Sequence, residues 1–370
     1  MKILFISRLF HDVSGGVERM AIALMNELAL RGHVVELLSW DRQGAETFYP
    51  LDSRVVWHKL DLGDASEKAS WRLRFQRQWS IRRLLARSRP EIMIAFQDGT
   101  FLATATAALG LGIPVVAAER NAPQRFDHLR AGKRRGLIFH TFRLADCITV
   151  QLDDYVEGYP LYLRSRIVSI PNPVRPAAAL AGPEGMPGCT RYLLSVGRLS
   201  YQKNQSALIE AFALIVGQAP TWRLILVGAG EDEVKLKRLV SEKGLADRAD
   251  FTGAVKDVER YYLDSHLFCL PSRWEGFPNA LAEAMAHGLP AVGYSGCAGV
   301  GQLIANGQTG LLAEGNGSPE SLAAALLPLM NDDAMRRRMG AAAAMAMSEY
   351  APGVVFDRWE AVLGMVAGNP

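Results

Sequence analysis

Short runs of Val, Ile and Leu alternate along this chain with longer segments of helical period, and the whole alternation runs through twice. Neighbouring parallel strands need a long crossover between them. Helices then cover both faces of the sheet, and each strand reads as a continuous apolar run. In the first half this predicts strands at 3–6, 34–38, 55–57, 92–95, 115–117, 147–150 and 167–170; in the second, at 192–196, 223–227, 250–252, 267–270, 291–293 and, more weakly, 310–312. The stretch between them, "PNPVRPAAALAGPEGMPGC" at 171–189, has no period and is dense in Pro, Gly and Ala, which predicts a linker. A chain of 370 residues is long for one core. Two doubly wound α/β domains are therefore expected, taking ligands in the crevice between them at the carboxyl ends of the strands.

The bulk numbers exclude more than they identify. With 41 basic and 38 acidic residues the formal charge is +3, too small to argue for nucleic acid unless it is clustered. Cys147, Cys189, Cys269 and Cys297 show no CxxC spacing, so neither a zinc site nor a disulfide framework is predicted and a reducing cytosol fits. "MKILFISRLF" reads as a first strand rather than a signal peptide. No window approaches the roughly 20 apolar residues that span a bilayer, so any membrane contact is expected to be peripheral.

The loops that follow strands carry the chemistry. "FHDVSGGVERM" places Gly15 and Gly16 at the opening of a helix whose apolar stripe is Val17, Met20, Ala21, Leu24 and Leu28. Glycines there let backbone N–H groups approach a bound anion, although a plain tight turn would use them equally. "VGAGED" at 227–232 has Glu233 where a dinucleotide fingerprint needs its last glycine, which argues against nicotinamide binding. In "SVGRLSYQKNQ", Arg198 and Lys203 stand five apart before a helix; they suit a diphosphate, or are two solvated cations. In "PSRWEGFPNALAEAMAHGLP", Pro278 falls where a helix begins, leaving the N–H groups of Asn279, Ala280 and Leu281 for an anion. Glu275 is then in the loop and Glu283 inside the helix. Eight residues at 100° each leave them about 80° apart around a helix axis, too far to share one metal. They read as acceptors for hydroxyls on two parts of one phosphate-bearing ligand.

The ordered set "SGGVERM", "VGRLSYQKNQ", "LILVGAGE", "FTGAV", "LPSRWEGFPNALAEAMAHGLPAV" and "ANGQTGLL" resembles the retaining glycosyltransferases of family 4, with their E-x7-E signature. The resemblance covers nearly the whole chain and, through "EGFPNAL" and "ERNAP", is greatest to members that build capsule, exopolysaccharide, lipopolysaccharide and lipid-linked oligosaccharides. It implies a GT-B fold of two facing Rossmann-like domains with an interdomain cleft: residues 1–175 for the acceptor, 190–350 for the nucleotide sugar, and a helix at 351–370 returning to the first domain. By the resemblance, Glu275 binds donor-sugar hydroxyls, Glu283 the ribose, and Arg198 and Lys203 the diphosphate, with Gly15 and Gly16 approaching from the other domain. Gly276, Phe277, Pro278, Asn279, Ala280 and Leu281 complete the donor site, and the catalytic set is Arg198, Lys203 and Glu275. Many members carry a histidine after the strand at 115–117. This chain has Glu119, Arg120 and Asn121 there, candidates for the acceptor side, while His128 and His140 read as solvated or capping residues.

No D-x-D occurs to hold a metal on a nucleotide diphosphate, and the resemblance implies metal-independent transfer with no cofactor. The donor implied is a nucleotide diphosphate sugar, a UDP-sugar first, carrying a hexose or N-acetylhexosamine. The acceptor implied is lipid-linked or a polysaccharide. The rivals are a sugar-nucleotide epimerase of the same fold, which lacks the ordered motifs, and an inactive glycan-binding scaffold, against which the intact Arg198, Lys203, Glu275 and Glu283 argue. "WRLRFQRQWSIRRLLARSR" at 71–89 holds seven arginines and no acid, and "RFDHLRAGKRRGLIFH" adds a second basic stretch. Both suit either an ordinary solvated helix face or docking on anionic lipid. The location predicted is cytoplasmic, peripheral on the inner membrane, with no nucleic-acid partner.

Overall fold

The computed structural model describes residues 1–368 apart from 14, 66, 68, 129 and 187. Its contacts divide the chain into two units, one holding Met1–Pro173 and the chain from Gly353 onward, the other Val174–Pro352. Each is built on one parallel sheet.

In the first unit the strands are β1 (Lys2–Ile6), β2 (Val34–Ser39), β3 (Val56–Lys59), β4 (Ile92–Phe96), β5 (Val115–Ala118), β6 (Cys147–Val150) and β7 (Ile167–Ser169). They lie in the order β3-β2-β1-β4-β5-β6-β7, all neighbours parallel. Helix Gly16–Leu30 buries Met20, Leu24 and Leu28 against β1, β2 and β4, through Ile3, Phe5, Leu37 and Ile94. The C-terminal helix Pro352–Ala367 joins this same core through Val355, Phe356, Trp359 and Leu363. Outside the core Arg31 clamps it: one guanidinium meets Glu27, Asp357 and Glu360, and His33 meets Glu360 at 2.7 Å.

The second unit has β8 (Arg191–Val196), β9 (Trp222–Val227), β10 (Ala249–Gly253), β11 (Leu267–Leu270), β12 (Ala291–Tyr294) and β13 (Gly310–Ala313). Their order is β10-β9-β8-β11-β12-β13, again parallel throughout. After β13 the chain forms helices Pro319–Asn331, Asp333–Ala346 and Pro352–Ala367.

The stretch 171–189 corrects the sequence reading, because most of it is no free linker. From Val174 it belongs to the second unit. The Ala181 N–H donates to the His287 carbonyl at 2.8 Å, and Val174 N–H to that of Tyr350 at 2.7 Å. Arg336, fully buried, is the reason the segment stays down. It donates to the carbonyls of Pro183 (2.6 Å), Glu184 (3.1 Å), Leu329 (2.5 Å) and Met330 (3.2 Å), pairs with Asp333, and lies 5.0 Å under the Trp222 ring. A period search cannot see such a tether, since the carbonyls are supplied by any residue type.

Arg336→Leu strands several buried carbonyls and is expected to lower the stability of the second unit by at least about 3 kcal/mol, read by urea unfolding. Glu360 is held below its ordinary value of 4.5 first by its bond to His33 and then by Arg31, with burial opposing. A depressed carboxyl stabilises above the ordinary value and loses that contribution as pH falls through the lowered one. The melting temperature of wild type should therefore fall more steeply below about pH 4.5 than that of Glu360→Gln, the two curves converging in acid.

Candidate active site

In the second sheet β9 and β10 extend to one side of β8, and β11, β12 and β13 to the other. The crossovers thus diverge at β8, and the loops leaving β8 and β11 flank the point where sheets of this kind take ligands. Local packing sets the backbone there. The loops after β8 and β9 run side by side, with Gly197 N–H on the Val227 carbonyl (2.9 Å) and Leu199 N–H on that of Ala229 (3.1 Å). A Cβ on Gly228 would stand 2.1 Å from the Gly197 oxygen, and one on Gly230 2.2 Å from the Leu199 oxygen. The glycines of "VGAGED" therefore serve close approach of two backbones.

The loops after β8 and β11 are tied as closely. Arg273 N–H donates to the Gln202 carbonyl (2.8 Å), and the Gln202 amide to the Trp274 carbonyl (2.9 Å). Arg273 also reaches the side chain of Asn204, which sits in a left-handed conformation (φ 53°) ahead of helix Gln205–Ile215. This framework brings Lys203 and Glu275 together. Glu275 is 3% exposed, and its Oε1 accepts from Lys203 Nζ at 2.6 Å and from Ser272 Oγ at 2.5 Å. Arg198 goes elsewhere: it is exposed and pairs with Glu231 at 3.0 Å. The two cations predicted to act as one clamp are thus held by two different carboxylates.

Helix Asn279–Ala286 begins one residue later than its sequence suggests, since Pro278 precedes it with ψ 71°. Asn279 N–H is not open to an anion, because it donates to the Phe277 carbonyl at 2.8 Å. Among the described residues, no backbone carbonyl takes the N–H groups of Ala280 and Leu281. Gly276 is half-buried, while the side chains of Phe277 and Leu281 are core. Glu283 is half-buried one turn further in, and the Tyr262 hydroxyl donates to its Oε2 at 3.1 Å. Tyr262 is itself buried and stacks on His287 at 5.0 Å; His287 Nδ1 lies 2.7 Å from the Glu283 carbonyl. Sequence reasoning missed Tyr262 and Ser272. Ser272 stands within the quoted loop but has no residue-type signal of its own, and Tyr262 lies outside every quoted motif, so only their bonds to Glu275 and Glu283 reveal them.

In the first unit Gly15 precedes and Gly16 opens helix Gly16–Leu30. A Cβ on Gly15 would stand 2.2 Å from Glu18 Oε2, so the Glu18 carboxylate lies against the helix start where an anion was expected. Burial raises its pKa above the usual value, partly offset by its own backbone N–H. At the end of β5, Glu119 is buried with Arg125 at 3.4 Å. Arg120 turns into the unit and is buried. It meets Thr149 Oγ1 (2.6 Å), the Ile170 carbonyl (3.3 Å) and the Trp359 ring (5.2 Å), and burial lowers its pKa to about 9. Asn121 is half-buried; His128 and His140 are exposed. Among the described residues no group of three or more His, Cys, Asp or Glu could hold a metal ion.

Comparison with known proteins joins the two halves. The profile described as Glycosyltransferase Family 4 matches residues 14–178, and that described as Glycosyl transferases group 1 matches 182–345. The chain is 25% identical to a Campylobacter jejuni GalNAc-α-(1→4)-GalNAc-α-(1→3)-diNAcBac-PP-undecaprenol α-1,4-N-acetyl-D-galactosaminyltransferase, over 97% of each. Among solved structures, the lipopolysaccharide outer core galactosyltransferase WaaB superposes with a TM-score of 0.78 at 18% identity, over 97% of this chain and 98% of that one. Anabaena Alr3699/HepE in complex with UDP and glucose gives 0.75 at 18% identity, over 98% and 99%. With two parallel-sheet units of Rossmann type and two family profiles that between them take in most of its length, the chain belongs to the GT-B glycosyltransferases of family 4 and group 1.

Proposed function

We propose that this glycosyltransferase moves a hexose or N-acetylhexosamine from a UDP-sugar to a lipid-linked or polysaccharide acceptor in surface glycan synthesis, with retention and without a metal. The observation that carries the reading is the Lys203–Glu275 pair, which sets one cation and one buried carboxylate side by side at the carboxyl ends of β8 and β11. The names of the relatives support the rest: an undecaprenol-linked substrate in one, a lipopolysaccharide core in another, UDP bound in a third.

On this reading the resting pair opens when the donor enters. Lys203 turns to the diphosphate, and Glu275, still held by Ser272, accepts hydroxyls of the donor sugar. As the sugar–phosphate bond breaks, negative charge grows on the leaving diphosphate. Lys203 and the N–H groups of Ala280 and Leu281 then stabilise the transition state more than the bound substrate. Arg198 swings in from Glu231 as a second, more exposed cation. The acceptor hydroxyl attacks from the leaving-group face and passes its proton to the phosphate, which retains the anomeric configuration. Glu283, aimed by Tyr262, takes the ribose hydroxyls. An acceptor carried on lipid places the reaction at the cytoplasmic leaflet of a membrane.

Lys203→Ala is expected to lose roughly 100- to 1,000-fold in turnover of a UDP-sugar, and Arg198→Ala less, because it starts exposed and paired. Turnover should persist in a chelator; wild-type rates in Lys203→Ala would sink the clamp. The two sides of the site should also separate in binding. Glu275→Ala keeps its affinity for free UDP and loses turnover, whereas Glu283→Ala binds UDP more weakly. Tyr262→Phe keeps the stack on His287 and loses only the hydroxyl, so UDP binding should weaken about three- to tenfold, and not at all in a Glu283→Gln background. Calorimetry on wild type, Tyr262→Phe, Glu283→Gln and the double variant reads this out, and additive losses would refute the positioning of Glu283 by Tyr262.

A further inference from the structure

Helix Trp71–Ser88 buries an arginine and exposes two tryptophans, the reverse of what water asks of a surface helix. Its inner face is Arg77, Ile81 and Leu85, with the Arg77 guanidinium on the carbonyls of Leu62 (2.7 Å) and Asp64 (3.3 Å). One flank is tied to helix Asp98–Ala108: Gln78 donates to Thr106 Oγ1 at 2.9 Å, and Arg82 to the carbonyls of Ala107 (2.8 Å) and Leu109 (2.9 Å). Arg77 is therefore buried in the unit and Arg82, although exposed, is bound back to the neighbouring helix, so the basic run of the sequence is not one continuous charged face.

The outer face is of a different kind. Trp71, Phe75 and Trp79, four apart, are 74%, 69% and 57% exposed. At 100° per residue they fall within an arc of about 80°, and Arg72, Arg83 and Arg87 within the next 60° or so. Arg72 and Arg83 each lie 5.3 Å from a ring, over Trp71 and Trp79. The helix has no acidic residue, and its neighbour carries no charge from Gly99 to Ala108 while exposing Leu102. An aromatic strip edged by guanidiniums matches the boundary of an anionic bilayer, where rings enter the acyl margin and arginines meet phosphates. No helix among the described residues is long and apolar enough to cross a membrane, so the contact is in plane. Nucleic acid fits less well: the rings project from a convex helix, and the guanidiniums already cover two of the ring faces on which bases would stack.

We propose that this face of the first unit docks on an anionic bilayer, with Trp71, Phe75 and Trp79 inserted and Arg72, Arg83 and Arg87 on lipid phosphates. The proposal rests on the reading that the acceptor is lipid-borne, and gives that reading its surface.

Flotation of the full chain with phosphatidylcholine vesicles, with and without phosphatidylglycerol, tests it. Wild type should bind the anionic vesicles, its tryptophan emission shifting blue and quenched by brominated lipid. Replacing Trp71, Phe75 and Trp79 together by serine should abolish both. Replacing Arg72, Arg83 and Arg87 by glutamine should cost about fivefold per arginine and remove the preference for anionic lipid. Both sets lie on the solvent face, so folding and UDP affinity should be retained. Equal binding to the two vesicle types, indifference to both sets of changes, or binding to a single-stranded oligonucleotide but not to vesicles would overturn the proposal. Turnover of a UDP-sugar without docking counts against this surface alone. Docking without any turnover upholds the surface and counts against the reaction.

Discussion

Parallel strands cannot be joined by tight turns; each must be followed by a crossover that returns the chain to the same starting edge. Every loop leaving a carboxyl end therefore gathers at one edge of its sheet, whatever its distance in sequence. In the second unit this collects Lys203, Glu231 and Glu275 from the loops after β8, β9 and β11. Chemistry placed on those loops needs no local motif beyond glycines small enough to let the backbones run together, as Gly228 and Gly230 do.

Within that edge the Lys203–Glu275 pair sets the electrostatics. The carboxylate is almost wholly out of water, and a charge so placed persists only with a partner and hydrogen bonds, here Lys203 and Ser272. A ligand that draws Lys203 away must supply groups that donate to Glu275, as sugar hydroxyls do. The same logic separates the buried cations that serve the fold. Arg336 and Arg120 are surrounded by backbone carbonyls, a hydroxyl and aromatic rings, with Asp333 paired to the first, and both are almost wholly out of water.

Charge in the first unit shows how little a run of like residues says before it is folded. Of the arginines in helix Trp71–Ser88, one is buried, another is bound back to a neighbouring helix, and Arg72 and Arg83 lie over tryptophan rings. What the sequence presents as a basic run becomes in three dimensions a strip of exposed aromatics with an arginine margin.

The sheets were legible in the sequence because burial on both faces of a parallel sheet forces apolar runs, as in β1, β4, β11 and β12, while edge strands such as β3 and β10 are largely unburied and carry a weaker signal. The placing of Glu275 in the loop and of Glu283 inside the helix was legible as well, through their spacing across a proline-marked helix start. Tertiary structure alone decided the pairing of Lys203 with Glu275, the turning of Arg198 to Glu231, the inward lodging of Arg120 and the aim of Tyr262 on Glu283. It also decided that most of the stretch 171–189 belongs to the second unit. The reason is common to all of these. A side chain's periodicity reports whether it is in or out of water, but its partner is set by which loop or carbonyl the crossovers bring alongside, and that is a property of the whole sheet rather than of any window of sequence.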